Sequence, residues 1–322
     1  MAQPTQTDVH VDQILTNMSV AYIQNASMFV ATKVFPVVTV QKQSDKYYTY
    51  PKGAWFRDEA EVRADGTEAS GSGYGQSTDN YSCDVYAHKK DIGDQVRANA
   101  DAPLSPDLDA VTFVSQRLML RQEVQWVTDT FATGKWGTDA SFTTPTQWST
   151  YTSSDPITDI ETGKTTILKN TGFLPNKLVL GYEVYTKLKH HPDIVDRISG
   201  GATAANPALG SDALLARIFG VDEVIIPMAI KNTGKEGEAD SFGFTHGKHA
   251  LLCYTTSTPG LLSPTAGYTF QWQGVSQGLG TAVGIKKFRM EALASDRVEG
   301  QIAFDNKIVS TDLGYFFNSV VA

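Results

Sequence analysis

The chain has 322 residues, 41% of them hydrophobic and 19% charged, with a formal net charge of −8. That composition excludes a disordered polymer, and the acidic balance argues against non-specific affinity for nucleic acid. It has no apolar run of about 18 residues that could span a membrane, and the opening MAQPTQTDVH lacks the basic and apolar regions of a signal peptide.

Residues 1–45 begin polar and turn mildly apolar, with Val20, Ile23, Met28, Val30, Val34 and Val37 too scattered for one period. They read as an extended arm with a helical turn near Val11–Asn17, and such an arm must lie on something else to be ordered. Lys46–Trp55, KYYTYPKGAW, alternates aromatic and polar residues as a strand does. Residues 57–84 then carry seven carboxylates against two arginines, with Gly66, Gly71, Gly73 and Gly75 marking a flexible tip. Tyr81–Val96 alternates again. Two strands around an acidic tip predict a long β-hairpin, and a lone ribbon is marginal in water, so it needs a docking surface outside itself.

Ser105–Gly134 reads as one long helix, with Ser105 as N-cap, Pro106 at the first position, Asp107 and Asp109 at the positive end and Gly134 as the stop. Phe113, Leu120, Val124, Val127 and Phe131 form one stripe, and Val111, Val114 and Leu118 a second beside it. At 1.5 Å per residue the element is roughly 40 Å long, a spine on which other parts are laid. Lys135–Ser154 reads as a loop or small hairpin. Asp155-Pro156 opens a shorter helix with Ile157, Ile160, Ile167 and Leu168 inward and Gly172 as its end.

Leu174–His191 reads as a buried strand at Leu178–Leu180, a turn at Gly181 and a helix facing inward through Val184, Tyr185 and Leu188. Pro192–Ile198 and Ser211–Phe219 read as helices, Glu223–Pro227 and Ala250–Thr256 as strands, and Ile230–Ser241 as a polar loop. From Gly267 onward strands are expected at Tyr268–Gly274, at Ala282–Ala294 as the longest, at Glu299–Phe304 and at Tyr315–Val321. Cys83 and Cys253 read as two reduced thiols.

No constellation for chemistry emerges. Thr162-Gly163-Lys164-Thr165 looks like the end of a phosphate-binding loop, but Thr158 stands where that motif requires Gly, and a helix is expected where it requires a strand-to-helix turn. Gly71, Gly73 and Gly75 follow no such turn either. His246 and His249 lack a third metal ligand and read as a solvated turn, His190-His191 as a helix end. No G-x-S-x-G nucleophile elbow occurs. Catalytic, cofactor and metal residues are therefore expected to be none, and the unburied elements read as interface.

The order of these parts resembles the major capsid proteins of tailed bacteriophages, with the Hong Kong 97-type shell fold. The residues that carry the likeness are Asp155-Pro156 to Ile160, the run TGFLPNKLVLG from Thr171 to Gly181, Val184–Leu188, Pro192-Asp193-Ile194 and the closing FDNKIVSTDLGYFFNSVV from Phe304 to Val321. The resemblance implies an α+β capsid fold: an N-terminal arm at 1–45, an extended loop at 46–97, a peripheral domain at 98–172 and 266–322 built on the spine helix, and an axial domain at 173–265. It implies pentamers and hexamers that close around double-stranded DNA without reading its sequence, no cofactor and no membrane. Portal, scaffolding and decoration proteins are further partners of such shells. An encapsulin-type compartment shares the fold and is the alternative; a hydrolase with an unrecognised site is the remote one.

Two departures from the family follow. No Lys lies between Lys52 and Lys89, so no covalent crosslink is expected from the extended loop. The chain starts almost at the arm and with Met1, so a scaffold is expected to be a separate protein. The acidic hairpin residues Asp58, Glu59, Glu61, Asp65 and Glu68 are expected to seek a basic face on a neighbour, either Arg117 and Arg121 on the spine or Lys286, Lys287 and Arg289 on a long strand.

Overall fold

Short apolar runs such as Leu178–Leu180 and Ala250–Cys253 have no polar alternation, the pattern of strands covered on both faces. The computed structural model, which describes residues 23–100, 104–198, 212–260, 262–275 and 284–322, places both in the middle of one sheet. The turn expected near Val11–Asn17 lies outside the described residues, as do Ser211 and residues 282–283. The strands are β1 (Val37–Val40), β2 (Ser44–Thr49), β3 (Ser77–Ser82), β4 (Asp84–Gly93), β5 (Thr138–Ser141), β6 (Lys177–Leu180), β7 (Glu223–Ile225), β8 (Ile230–Asn232), β9 (Phe242–Phe244), β10 (Ala250–Cys253), β11 (Gly267–Trp272), β12 (Gly284–Met290), β13 (Ser295–Ile308) and β14 (Gly314–Asn318). The helices are α1 (Ala31–Val34), α2 (Lys52–Trp55), α3 (Asp94–Ala98), α4 (Pro106–Thr130), α5 (Pro156–Thr171), α6 (Tyr182–Leu188), α7 (Pro192–Ile198) and α8 (Asp212–Phe219).

One sheet is organised by β13. Its residues 295–304 pair antiparallel with β4 along one edge, while β12 and then β11 follow one another along the other. The spine α4 lies across this sheet, with Ala110, Val114 and Leu118 against Val298, Ile302 and Phe304. The second sheet runs β5-β14-β10-β6-β7, so strands from the segments on either side of 173–265 complete it. Helix α5 packs against it through Gly163, where an added Cβ would stand 3.0 Å from the Phe317 ring. The TGKT tetrapeptide is therefore mid-helix packing, with Lys164 Nζ donating to Glu161 and to the Phe219 carbonyl. Asp155 caps α5 by accepting from the amides of Ile157 and Thr158, and Gly172 ends it with φ of 77°.

Several expectations are corrected. Part of the arm belongs to the chain's own core: Val30, Ala31, Val34 and Phe35 are buried, and β1 joins β11 in parallel. Their spacing of one and four residues makes a single face in only one helical turn, too short to register as a period. The fully buried face of the spine is Ala110, Val114, Leu118, Glu123, Trp126 and Thr130, whereas Phe113, Leu120, Val124 and Val127 are half-buried at its flanks. Leu168 points outward. The strand expected over Lys46–Trp55 stops at Thr49, because Pro51 has no amide for the ladder, and α2 follows. Ile230–Ser241 is half of a β8–β9 ribbon, Lys135–Ser154 contains β5 paired to β14, and the longest strand is β13, with 14 residues. His246 is buried rather than solvated, between the rings of Trp126 and Phe131. Cys83 and Cys253 are buried free thiols.

Candidate assembly surfaces

The extended loop has a rooted base and an uncovered body. At the base, β2 and β3 pair over Ser44–Thr49 and Ser77–Ser82, and Tyr47 donates to Asp79 at 2.9 Å. The Tyr47 and Tyr81 rings stack on Phe270 with centroids 5.7 and 4.5 Å away, fastening the ribbon to the β13 sheet. Beyond it, Tyr50, Trp55 and Tyr74 cluster, the Trp55 and Tyr74 centroids 4.9 Å apart. Lys52 pairs with Asp312 at 2.5 Å. From Trp55 to Asn80 every residue is exposed, including Phe56, Val62 and Tyr74. Large apolar side chains on so long an uncovered stretch make it a candidate binding surface.

The predicted acidic residues Asp58, Glu59, Glu61, Asp65 and Glu68 all lie on this body. Arg57 reaches Glu59 at 3.6 Å, and Arg63 donates to the Thr67 carbonyl, which folds the tip around Gly66. Among the described residues no ion pair joins these acids to the predicted basic groups, so the structure does not bring the two sets together within one chain.

The basic candidates divide. Arg289 grips Asp94 with both terminal nitrogens at 2.5 and 2.6 Å, and Lys287 reaches Asp107 at 3.0 Å and Asp296 at 3.7 Å. Arg97 completes the network, at 2.6 Å from Asp296 and 2.9 Å from Asp107. These hydrogen bonds hold the carboxyls below their ordinary range: Asp94 by Arg289, Asp107 chiefly by Lys287, Asp296 chiefly by Arg97. Two of the three strand cations thus pin the β12–β13 hairpin to α3 and to the start of the spine; Lys286 is exposed beside them. On the spine, Arg117 lies over the Phe113 ring at 5.1 Å, and Arg121 lies over Tyr86 at 4.8 Å while donating to Gln125. Lys90 of β4 also covers Phe113, at 5.4 Å. Lys90, Arg117 and Arg121 form a cationic face seated on two aromatic rings, an arrangement that keeps the charge available.

Sequence reading missed Lys90 and the charged groups that hold the arm. Lys177 donates to the carbonyls of Lys33 and Val34 at 2.5 and 3.3 Å, and Glu123 accepts the amides of Val30 and Ala31. Glu123 was detectable in principle: it stands three residues before Trp126 and seven before Thr130, inside the buried stripe. Among the described residues no group of three or more His, Cys, Asp or Glu is placed to hold a metal ion, and no helix is long and apolar enough to cross a membrane.

No family model matches the chain. It is 25% identical over 325 residues to the major capsid protein of Burkholderia phage BcepMu, covering 96% of each chain, and 25% identical over 320 residues to that of Pseudomonas phage JBD67, covering 97% of each. Among solved structures it is similar to a phage-related protein from Bordetella bronchiseptica, with a TM-score of 0.69, 23% identity and 96% and 97% of the two chains covered. The capsid of cyanophage P-SCSP1u has a TM-score of 0.61 at 11% identity, with 97% and 93% covered. The SrpI encapsulin of Synechococcus elongatus has a TM-score of 0.58 at 9% identity, with 97% and 98% covered.

Proposed function

We propose that this chain, which has the Hong Kong 97-type capsid fold and resembles phage major capsid proteins along nearly its whole length, is a major capsid protein whose copies build the icosahedral shell of a phage head. The observation that carries this reading is the end-to-end likeness in sequence to two proteins of that role, matched by the fold. The uncovered Trp55–Asn80 segment supports it physically, because its apolar residues are protected only if another copy covers them.

In this reading copies form pentamers and hexamers around double-stranded DNA, and the subunit binds no cofactor and catalyses no reaction. Residues 23–45 serve as the described part of the arm, 46–97 as the extended loop, 98–172 with 266–322 as the peripheral domain, and 173–265 as the axial domain. The acidic body of one extended loop lies on the Lys90, Arg117 and Arg121 face of its neighbour, with Lys286 as a further contact. Assembly takes place in the host cytoplasm, with portal, scaffolding and decoration proteins as partners, and the product is the virion.

An encapsulin-type shell is the second reading, favoured by the fold likeness to SrpI; the 25% sequence likeness to two phage proteins, against 9% for SrpI, weighs for the phage. Sedimentation and negative-stain electron microscopy of the purified protein test the role. Closed shells are the expected result. Small shells enclosing a cargo enzyme would support the second reading, and monomers under every condition would overturn both.

A further inference from the structure

The arm turn α1 is held at both ends by charged side chains from other elements. Glu123, in mid-spine and 1% exposed, accepts the amides of Val30 and Ala31 through Oε2 at 3.0 and 2.9 Å. Lys177 donates to the carbonyls at the other end. These are the amides and carbonyls that a short helix leaves unpaired.

The second carboxyl oxygen of Glu123, Oε1, faces Nε2 of His246 at 3.5 Å. Both atoms are buried, and among the described residues neither has a hydrogen-bond partner. The far side of the imidazole decides what lies between them. His246 Nδ1 is 2.9 Å from Thr245 Oγ1, and that hydroxyl donates to the Ala229 carbonyl at 3.1 Å. A hydroxyl has one hydrogen, so Oγ1 accepts from Nδ1–H and the neutral ring has a bare Nε2. A bare nitrogen and a carboxylate oxygen at this distance repel each other unless a proton stands between them. The rings of Trp126 and Phe131, with centroids 5.6 and 4.9 Å from the imidazole, make an uncompensated charge costly here.

The other ionisable groups on the surrounding elements are engaged elsewhere or, like Lys248, exposed. Lys177 sits at the far end of α1, and Lys33 turns outward to Glu223 at 3.5 Å. His249 accepts the Ser319 amide, Arg121 lies over Tyr86, and Asp129 accepts from Gln125 and Asn306.

We propose that Glu123 and His246 hold one shared proton in mild acid, and that losing it as pH rises through neutrality loosens the grip of the spine on arm residues 30–35. Burial pushes the Glu123 carboxyl up to about 7 and the His246 imidazolium down to about 3. For Glu123 the folded value is raised, so its stabilisation is complete below the ordinary 4.5 and is lost as pH rises through about 7. For His246 the folded value is depressed from 6.5, so its contribution is lost as pH falls below that value. Between these ordinary values the two changes offset each other: the unfolded chain carries one proton on the imidazole, the folded chain one on the carboxyl. The grip is therefore level in mild acid, weakens as pH rises through neutrality, and is level again once neither state holds the proton.

Hydrogen–deuterium exchange of the full chain, with each amide rate divided by its intrinsic rate at that pH, tests this. Protection of a peptide spanning residues 28–36 should be nearly level below about pH 6, fall by about threefold in all between about pH 6 and 8, and be level again above that, the gap between the ordinary imidazole value and the raised carboxyl value setting the limit. In Glu123→Gln the side-chain carbonyl still accepts the arm amides and the NH2 group donates to Nε2, so only the His246 contribution remains: protection should rise with pH up to about 7, by up to about tenfold between about pH 5.5 and 7.5, and be level above it, the opposite of the unmodified chain. Equal pH profiles in the two proteins, or a level profile in the unmodified chain up to pH 8.5, overturn the proposal. Nitrogen-15 spectra of the unmodified chain at pH 6 supply a readout independent of the variant: His246 should carry its hydrogen on Nδ1, and an Nε2–H tautomer refutes the shared proton.

Discussion

Replacing Phe35 with Ala separates what the chain buries by itself from what it leaves for a neighbour. The Phe35 ring is fully buried and meets Trp126 and Trp136 edge-on, with centroids 5.5 and 6.5 Å away. It lies directly over Gly267, where an added Cβ would be 2.3 Å from the ring. Truncation leaves a large void between two fixed indoles. The backbone has little freedom to collapse into it, because Glu123 holds α1 on one side and Lys177 on the other. Buried Phe→Ala changes cost about 3–5 kcal/mol, and each aromatic pair contributes about 0.5–1.5 kcal/mol beyond area alone. With both pairs lost and relaxation restricted, the expected cost is in the upper half of that range, about 4 kcal/mol. Urea unfolding of the unassembled subunit measures it as a lower midpoint at unchanged slope. A loss under about 1 kcal/mol would refute the placement of residues 30–35 in the chain's own core.

Trp55→Ala provides the opposite contrast: the ring is half exposed, so subunit stability should shift by under about 1 kcal/mol while shell yield falls sharply, measured by sedimentation. Gly163→Ala brings a Cβ to 3.0 Å from the Phe317 ring; overpacking should outweigh the gain in helix propensity and cost about 1–3 kcal/mol in the same urea titration. Lys286→Glu should weaken assembly in a salt-dependent way with subunit stability unchanged, whereas Lys287→Glu faces Asp107 and Asp296 and should lower subunit stability by about 1 kcal/mol, read by thermal unfolding at low and high salt. Intact-mass spectra of particles should contain no covalent adduct through residues 54–88, since that stretch has no Lys.

Elements with local punctuation were legible in the sequence. Asp155, Pro156 and Gly172 bound α5, Ser105 and Pro106 open α4, and the unbroken apolar runs of β6 and β10 announce strands covered on both faces. The seating of the arm was not legible, because it depends on partners far along the chain: Glu123 lies 92 residues from Ala31, and Lys177 lies 144 from Lys33. The charge of the basic candidates was visible, but its use was not. Lys287 and Arg289 read as a free cluster until folding brings Asp94, Asp107 and Asp296 beside them. Lys90 escaped notice because nothing in its own segment signals that Phe113 will lie beneath it. The exposed acidic loop was legible because its composition leaves so little to bury.

Cryo-electron microscopy of assembled particles tests the shell role most directly. Residues 55–80 of each subunit should lie against an adjacent copy, with the Trp55 and Tyr74 rings covered and the acids from Asp58 to Glu68 facing that copy's Lys90, Arg117 and Arg121. Particles in which this stretch remains in solvent, or preparations that contain no particles at all, would contradict it.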